Sequence, residues 1–274
     1  MEEIKYVQKG SGNNCLFLIH GFCSGPEDWN EQLNFFKDDS TIIVPTLRGH
    51  DSKNINNRPM SIEQLSNDCV NILKTKSFNK IVVAGHSMGT RLAIDLANKV
   101  KNVSGLILID GSKFSSCKTY FNSISEFEKL LSQNDYKSIL KNMFSSMFFS
   151  IVHQEHKIRI VKRAIEIPKM YSLPLRRNTI WYDSHCVENN LKNLNLPILV
   201  LQSTKIDKIK GRTRIKKNEF NSYVAFIKKY TKNVKIKLFE NTGHYITIEK
   251  PQIVSQIIED WLIDLKIHFR EQHS

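Results

Sequence analysis

The chain has 274 residues, of which 41% are hydrophobic and 24% are charged, with only 11 glycines and 7 prolines. This composition excludes a disordered or fibrous protein and is typical of a globular chain with a substantial core, as one large α/β domain or two small ones. The net charge of +13 favours anionic contacts, but no RNA-binding, zinc-finger or helix-turn-helix motif accompanies it, so we do not expect a nucleic-acid partner.

The first 14 residues are acidic and polar, which argues against a secretory signal peptide. The longest apolar runs, such as residues 106–109, are too short for a transmembrane segment. An odd number of cysteines without CxxC spacing favours reduced thiols over a disulfide framework. We therefore expect a soluble, cytoplasmic protein. The five cysteines are Cys15, Cys23, Cys69, Cys117 and Cys186.

Lysine and arginine concentrate in two clusters, residues 157–177 and 205–217. One interpretation is a solvated basic surface. The other is contact with an anionic substrate or with an anionic surface at the periphery of a membrane. The sequence leaves both interpretations open, and it does not predict the oligomeric state.

Six short apolar runs predict buried strands, at residues 16–19, 42–44, 81–84, 106–109, 198–201 and 234–239. Apolar residues at helical spacing predict helices over residues 88–100 and from Pro251 to Leu265. Because parallel strands need crossover connections, this alternation indicates an α/β fold with a mostly parallel, doubly wound sheet.

The pattern of buried strands is interrupted between Phe114 and Asn193, where three segments have the periodicity of amphipathic helices. We therefore expect a core formed by residues 1–111 and 194–274, with a helical cap at residues 112–193. The cap is rich in Phe and Met residues, which either line a substrate pocket or pack the cap onto the core. These residues are Phe121, Phe127, Met143, Phe144, Met147, Phe148 and Phe149.

The segment 81–97 reads as a buried strand, then Gly85-His86-Ser87-Met88-Gly89, then a helix. This order is typical of a nucleophile elbow, a sharp strand-to-helix turn that holds a reactive serine at the carboxyl edge of a sheet. Glycines are needed on either side because larger side chains would clash with the neighbouring backbone. The motif predicts Ser87 as a nucleophile, with the Met88 amide at a helix N-terminus, where a developing oxyanion is stabilised.

With four further motifs, the chain resembles the α/β-hydrolase superfamily, in particular its esterase-like and lipase-like members. These motifs are His20-Gly21-Phe22, Leu47-Arg48-Gly49-His50, Asp207 and Gly243-His244. The family often has D-x-R-G-H-G-x-S after its third strand. Here residues 46–52 read TLRGHDS, without the usual Asp and second Gly.

The resemblance implies a catalytic triad in the chain order Ser, acid, His. Of nine histidines, only His244 follows the last predicted strand and precedes the C-terminal helix, so it is the expected general base. Asp207, after the strand at 198–201, is the expected orienting acid. Asp110, at the end of the strand at 106–109, is the alternative, and Asp183 is a more distant one.

The resemblance also implies an oxyanion hole formed by the backbone amides of Phe22 and Met88. The alternative to an oxyanion role for the Phe22 amide is that Gly21 forms an ordinary turn at the end of the strand. His20 is expected to brace the oxyanion loop and His86 the elbow, although either ring could border the pocket.

His153, Glu155 and His156 are close in sequence, as ligands of a metal often are. Their spacing is not HExxH and no third ligand suggests itself, so a solvated helix face is the preferred interpretation. We expect neither a metal nor a cofactor.

The implied activity is hydrolysis of a carboxylic ester, thioester or lactone of a small-molecule acyl substrate, through an acyl-enzyme on Ser87. Two alternatives stay open, because a fold does not determine a reaction. The same triad could serve carbon–carbon bond hydrolysis, lyase or perhydrolase chemistry, or the chain could be a ligand-binding receptor.

Overall fold

The computed structural model describes residues 4–38, 40–50, 59–207 and 211–267. Its strands are β1 (Tyr6–Lys9), β2 (Asn14–Ile19), β3 (Thr41–Pro45), β4 (Lys80–His86), β5 (Val103–Ile109), β6 (Ile198–Gln202), β7 (Thr204–Asp207), β8 (Gly211–Arg214) and β9 (Val234–Leu238). Its helices are α1 (Asn30–Phe36), α2 (Ile62–Lys74), α3 (Gly89–Ala97), α4 (Tyr120–Gln133), α5 (Tyr136–Ser145), α6 (Gln154–Glu166), α7 (Lys169–His185), α8 (Val187–Lys192), α9 (Ser222–Tyr230), α10 (Ile246–Glu249) and α11 (Pro251–Asp264). Short 3-10 helices lie at Pro26–Trp29 and Ile151–His153.

Seven strands form one sheet in the order β1-β3-β2-β4-β5-β6-β9. The six strands that the sequence predicts are all present and run parallel to one another, which confirms the mostly parallel sheet. Two features were not predicted. The edge strand β1 pairs antiparallel with β3, and β7 and β8 form a separate antiparallel hairpin directly after β6.

The sheet is covered by helices on both faces, because neighbouring residues of a strand point to opposite sides. In β2, Phe17 packs in a cluster with residues of α2 and α3, whereas Leu18 packs in a second cluster with α1 and α11. Both clusters are fully buried at the sheet. This two-sided burial explains why the central strands are continuous apolar runs rather than alternating ones.

Between β5 and β6 the chain forms the five helices α4–α8 and no strand. The periodicity of this segment predicts the absence of a strand and three of the helices, α4, α5 and α6. A third apolar cluster joins α5 and α6 to two residues of the sheet-bearing part, Cys23 and Tyr245. Buried ion pairs join the same two parts. Arg91 of α3 donates to Asp183 of α7, and Arg163 of α6 pairs with Asp28.

The Phe and Met residues of the helical insertion do not share one role. Phe148 is buried in the third apolar cluster, whereas Phe121 is 80% exposed. Met143, Phe144 and Met147 line a cavity above the sheet, and Phe144 and Met147 are also buried in the third cluster. Both predicted roles, pocket lining and packing, are therefore present.

Candidate active site

Ser87 lies in the sharp turn between β4 and α3 and has a backbone φ of 57°, in the left-handed region that non-glycine residues rarely adopt. Its N–H donates to the carbonyl oxygen of Ile109, 2.9 Å away, which ties the turn to the neighbouring strand. A Cβ atom on Gly85 would lie 2.2 Å from the carbonyl oxygen of Gly89. The strain and this close packing are the features expected of a nucleophile elbow.

His244 lies in the loop between β9 and α10, and both its backbone N–H and its carbonyl oxygen form hydrogen bonds. Its N–H donates to the carbonyl oxygen of Met147 at 2.8 Å, and its carbonyl oxygen accepts from Nε2 of His86 at 2.9 Å. The loop is held a second time where the Gly243 N–H donates to Glu249 at 3.0 Å. Ser87 and His244 line the same cavity.

Asp110, and not Asp207, supplies the carboxylate at the His244 ring. Its Oδ2 lies 2.5 Å from Nδ1 of His244. Its Oδ1 accepts from the backbone N–H groups of Ser203 and Thr204, at 2.8 and 2.7 Å. The prediction that Asp207 orients His244 is therefore wrong for this structure, and the alternative, Asp110, occupies that position.

Asp207 is displaced from that position by the hairpin that follows β6. It ends β7, where it pairs with Gly211 of β8. The residues directly after β6 turn their backbone N–H groups towards Asp110, so this edge of the sheet offers donors to a carboxylate that comes from β5. Asp183, the more distant candidate, is bound to Arg91 through both carboxylate oxygens at 2.7 Å.

The charge state of the pair follows from its contacts. Burial disfavours ionisation of Asp110, but the hydrogen bond from His244, the charge of Arg212 and the hydrogen bond from Thr204 hold the pKa of Asp110 below its ordinary value. Burial, followed by the charge of Arg212 and by His86, lowers the pKa of His244 to about 3 despite the Asp110 carboxylate. The imidazole is therefore neutral, its Nδ1–H donates to Asp110, and Nε2 is left as a proton acceptor.

Arg212 is a member of this site that the sequence did not predict individually. Its Nη1 donates to Oδ2 of Asp110 at 3.1 Å and to Oγ1 of Thr204 at 2.5 Å. The only signal for it was the basic cluster at 205–217. That cluster is not a uniform solvated surface, because Lys205 pairs with Glu219 and Arg212 is buried against Asp110. Lys208 and Lys210 lie outside the described residues.

The predicted oxyanion loop packs directly against the elbow. A Cβ atom on Gly21 would lie 3.1 Å from Cβ of Ser87, so the adjoining Phe22 is brought to the nucleophile. Phe22 and Met88 both line the cavity. Within the described residues, no hydrogen bond from either backbone amide is found.

Two buried histidines hold the predicted oxyanion loop in place. His20 donates from Nδ1 to the carbonyl oxygen of Gly21 and accepts at Nε2 from the Leu47 amide, 3.1 Å away. His50 accepts at Nε2 from the Cys23 amide, also at 3.1 Å. The Leu47–His50 motif is thus a brace for the oxyanion loop. The sequence departs from the family pattern at Thr46 and Asp51. The Thr46 N–H donates to the carbonyl oxygen of Lys5 at 2.8 Å, and Asp51 lies outside the described residues.

The cavity over Ser87 has a volume of about 320 Å³, near the lower end of the range of about 300–1,000 Å³ that small-molecule pockets span. Phe, Met and Tyr side chains form much of its wall, and three arginines also line it: Arg91, Arg176 and Arg212. Its size and lining suit a small, partly apolar molecule.

Residues 4–38, 40–50, 59–207 and 211–267 also bear on metal binding and membrane insertion. No group of three or more His, Cys, Asp or Glu residues is placed to hold a metal ion there. No helix there is long and apolar enough to span a membrane. The cysteines are all unpaired thiols. Of the three residues His153, Glu155 and His156, which are close in sequence, Glu155 and His156 are exposed.

The sequence matches the model of the alpha/beta hydrolase family over residues 16–257. The chain belongs to the alpha/beta hydrolase family. Among curated relatives, a putative esterase/lipase of Mycoplasma genitalium is 23% identical over 82% of this chain and 78% of its own length. Human epoxide hydrolase 4 is 29% identical over 52% of this chain and 44% of its own length.

Some curated relatives match only in part. The chain spans 28% of the dihydrolipoyllysine-residue acetyltransferase component of the Cupriavidus necator acetoin cleaving system, at 26% identity over 37% of this chain. A solved esterase from Thermogutta terrifontis superimposes with a TM-score of 0.75 at 22% identity, over 96% of this chain and 93% of that one. A hydrolase from Oleispira antarctica does so with a TM-score of 0.76 at 16% identity, over 95% and 94%. At these identities the two superpositions show the shared fold.

Proposed function

We propose that the chain is a serine hydrolase that cleaves a carboxylic ester, or a related thioester or lactone, through an acyl-enzyme on Ser87. The observation that carries the proposal is the buried pair of His244 Nδ1 and Asp110 Oδ2, 2.5 Å apart, beside the cavity that Ser87 lines. In this proposal the acid is Asp110 and the base is His244. The helical insertion at 112–193 acts as the cap that covers the acyl site.

The first half of the reaction is acyl transfer to the enzyme. The Ser87 hydroxyl attacks the carbonyl carbon while Nε2 of the neutral His244 takes its proton. The resulting imidazolium is stabilised by Asp110, which stays ionised. The amides of Phe22 and Met88 receive the negative charge that develops on the carbonyl oxygen. His244 then returns the proton to the departing alcohol.

The second half repeats these steps with water as the nucleophile. His244 takes a proton from the water, the Ser87 ester is attacked, and the free acid leaves as the proton returns to Ser87. The neutral resting state of His244 suits this cycle, because an imidazole that is already protonated cannot accept a proton. Within this proposal no step needs a group other than the chain and water.

The test compares wild type with Ser87→Ala, using a fluorophosphonate probe and p-nitrophenyl esters of graded acyl length. We expect the probe to label wild type and not Ser87→Ala, with ester turnover lost in the same variant. Ser112→Ala is the matched control, because Ser112 is also a buried serine that lines the cavity. It should keep both labelling and turnover.

The other outcomes separate the alternatives. Labelling of Ser87 without multiple turnover of any ester would favour a receptor on a hydrolase fold. Absence of both labelling and turnover in folded wild type would overturn the proposal.

A further inference from the structure

Among the described residues, the wall of the cavity carries one guanidinium group more than the number paired with carboxylates. Three guanidinium groups line it, and two of them are paired with carboxylates. Arg91 is bound by both oxygens of Asp183, and Arg212 lies 3.1 Å from Asp110. The third, Arg176 of α7, has no hydrogen bond or ion pair of its side chain within the described residues.

The contacts that Arg176 does make are with aromatic rings. Its Cζ lies 4.1 Å from the ring centre of Phe114 and 5.9 Å from that of Phe127. Stacking on a ring uses the flat face of a guanidinium and leaves the N–H donors at its edge for other partners. The nearby Asp183 favours the charge of Arg176 but forms no hydrogen bond with it; the oxygens of Asp183 accept from Arg91 and from the Phe114 amide.

The energetic cost of this arrangement indicates a missing partner. Arg176 is half-buried. Desolvation and the positive charge of Arg91 lower its pKa to about 10, with a partial offset from the charge of Asp183, so the guanidinium stays charged at neutral pH while its surroundings disfavour the charge. A charge held in a mostly apolar cavity is costly unless an opposite charge joins it. Within the described residues no carboxylate side chain lines the cavity, and Asp183, the carboxylate whose charge acts on Arg176, is already paired with Arg91.

We infer that the substrate supplies the negative charge that pairs with Arg176. The enzyme acts on small esters that carry a carboxylate, and Arg176 binds that carboxylate beside the scissile bond. The inference rests on the proposed function, because it names the substrate class of the same Ser87 site. A carboxylate matches the planar fork of a guanidinium in a bidentate geometry. The cavity of about 320 Å³ restricts the acyl and alcohol parts to a few carbon atoms each.

The carboxylate could belong to either side of the ester, and paired substrates distinguish the two. Monomethyl glutarate carries it on the acyl side, and methyl 5-methylhexanoate is its neutral isostere. 4-Acetoxybutyrate carries it on the alcohol side, and 4-methylpentyl acetate is its neutral isostere. Acid release is followed by pH-stat titration, with the enzyme-free rate subtracted. In wild type we expect kcat/KM to favour the anionic member of one pair by about 10- to 100-fold, the range that one charge-assisted contact supplies.

The variants assign the preference to one side chain. Arg176→Met should lose the preference and keep turnover of the neutral esters. Arg176→Lys should keep part of the preference, because it keeps the charge without the fork. Arg177→Met is the matched control, because Arg177 is the next residue of the same helix but is exposed and paired with Glu128. It should leave the preference unchanged.

A second readout needs no turnover. Glutarate should slow the labelling of Ser87 by the fluorophosphonate probe in wild type and in Arg177→Met, and not in Arg176→Met. The inference is overturned if folded wild type labels but prefers neither anionic ester and is not protected by glutarate. It is also overturned if Arg176→Met lowers turnover of anionic and neutral esters equally. Failure of the proposed function looks different, because the probe would then not label Ser87 at all.

Discussion

Replacement of Asp110 by Asn should abolish most turnover, because no orientation of the amide satisfies the contacts of the carboxylate. If the amide oxygen faces Ser203 and Thr204, its NH₂ group faces Nδ1–H of His244 and Nη1 of Arg212, which are both donors. His244 then shifts its proton to Nε2 and can no longer accept one from Ser87. If the amide is turned round, two backbone N–H groups lose their acceptor instead.

The expected loss in kcat is about 10³- to 10⁴-fold, equivalent to about 4–5.5 kcal/mol of transition-state stabilisation. Each unsatisfied buried donor also costs about 1–3 kcal/mol of stability, so urea unfolding must accompany the kinetics. Asp207→Asn is the matched control, because Asp207, which ends β7, is the acid that the sequence predicts. It should keep turnover within about threefold of wild type. A large loss in folded Asp207→Asn, with Asp110→Asn still active, would refute the assignment of the acid.

Three other variants, two of them with a matched control variant, test the structure around the site. Arg212→Met should move the acid limb of the kcat/KM profile to higher pH, because the positive charge of Arg212 lowers the pKa of both His244 and Asp110. Arg214 is an exposed residue of the same hairpin, and Arg214→Met should leave the acid limb in place. Gly85→Ala should cost more than about 3 kcal/mol in urea unfolding, because its Cβ would lie 2.2 Å from the Gly89 oxygen. Gly211→Ala should cost only about 1–2 kcal/mol, because its φ is +73° but no atom of the described residues lies within 4 Å of the added Cβ; equal losses would contradict the steric argument. Burial raises the pKa of Glu249 from 4.5 to about 7, so the folded state favours the protonated form and loses stability as the pH rises through this window. Relative to wild type, Glu249→Gln should therefore gain up to about 3 kcal/mol between pH 4.5 and 7, and a stability difference that does not change with pH would count against this.

The parts of the fold that the sequence predicts are those where one physical requirement determines the residues. A strand covered on both faces must be apolar throughout, and the strands at β2, β4 and β5 could therefore be placed from their composition. The elbow requires glycine at two positions because backbone atoms lie within 3 Å of any added Cβ there. By contrast, β1 and the β7–β8 hairpin are short and partly exposed, so no continuous apolar pattern marks them.

The position of the acid could not be predicted in the same way, because two strand ends offer a carboxylate and chain order permits either. Asp110 and Asp207 each follow an apolar strand, and the sequence does not show which of them the loop after β6 accommodates. The difference is made by backbone groups. The N–H groups of Ser203 and Thr204 meet Asp110, and the hairpin that begins at Thr204 returns Arg212 to the same carboxylate. An acid on β5 needs donors from the segment after the next strand, and here that segment provides four: the two N–H groups, the Thr204 hydroxyl and Arg212. One positive charge of the basic cluster at 205–217, that of Arg212, therefore binds the acid Asp110. The sequence instead predicts that this segment supplies the acid itself, as Asp207.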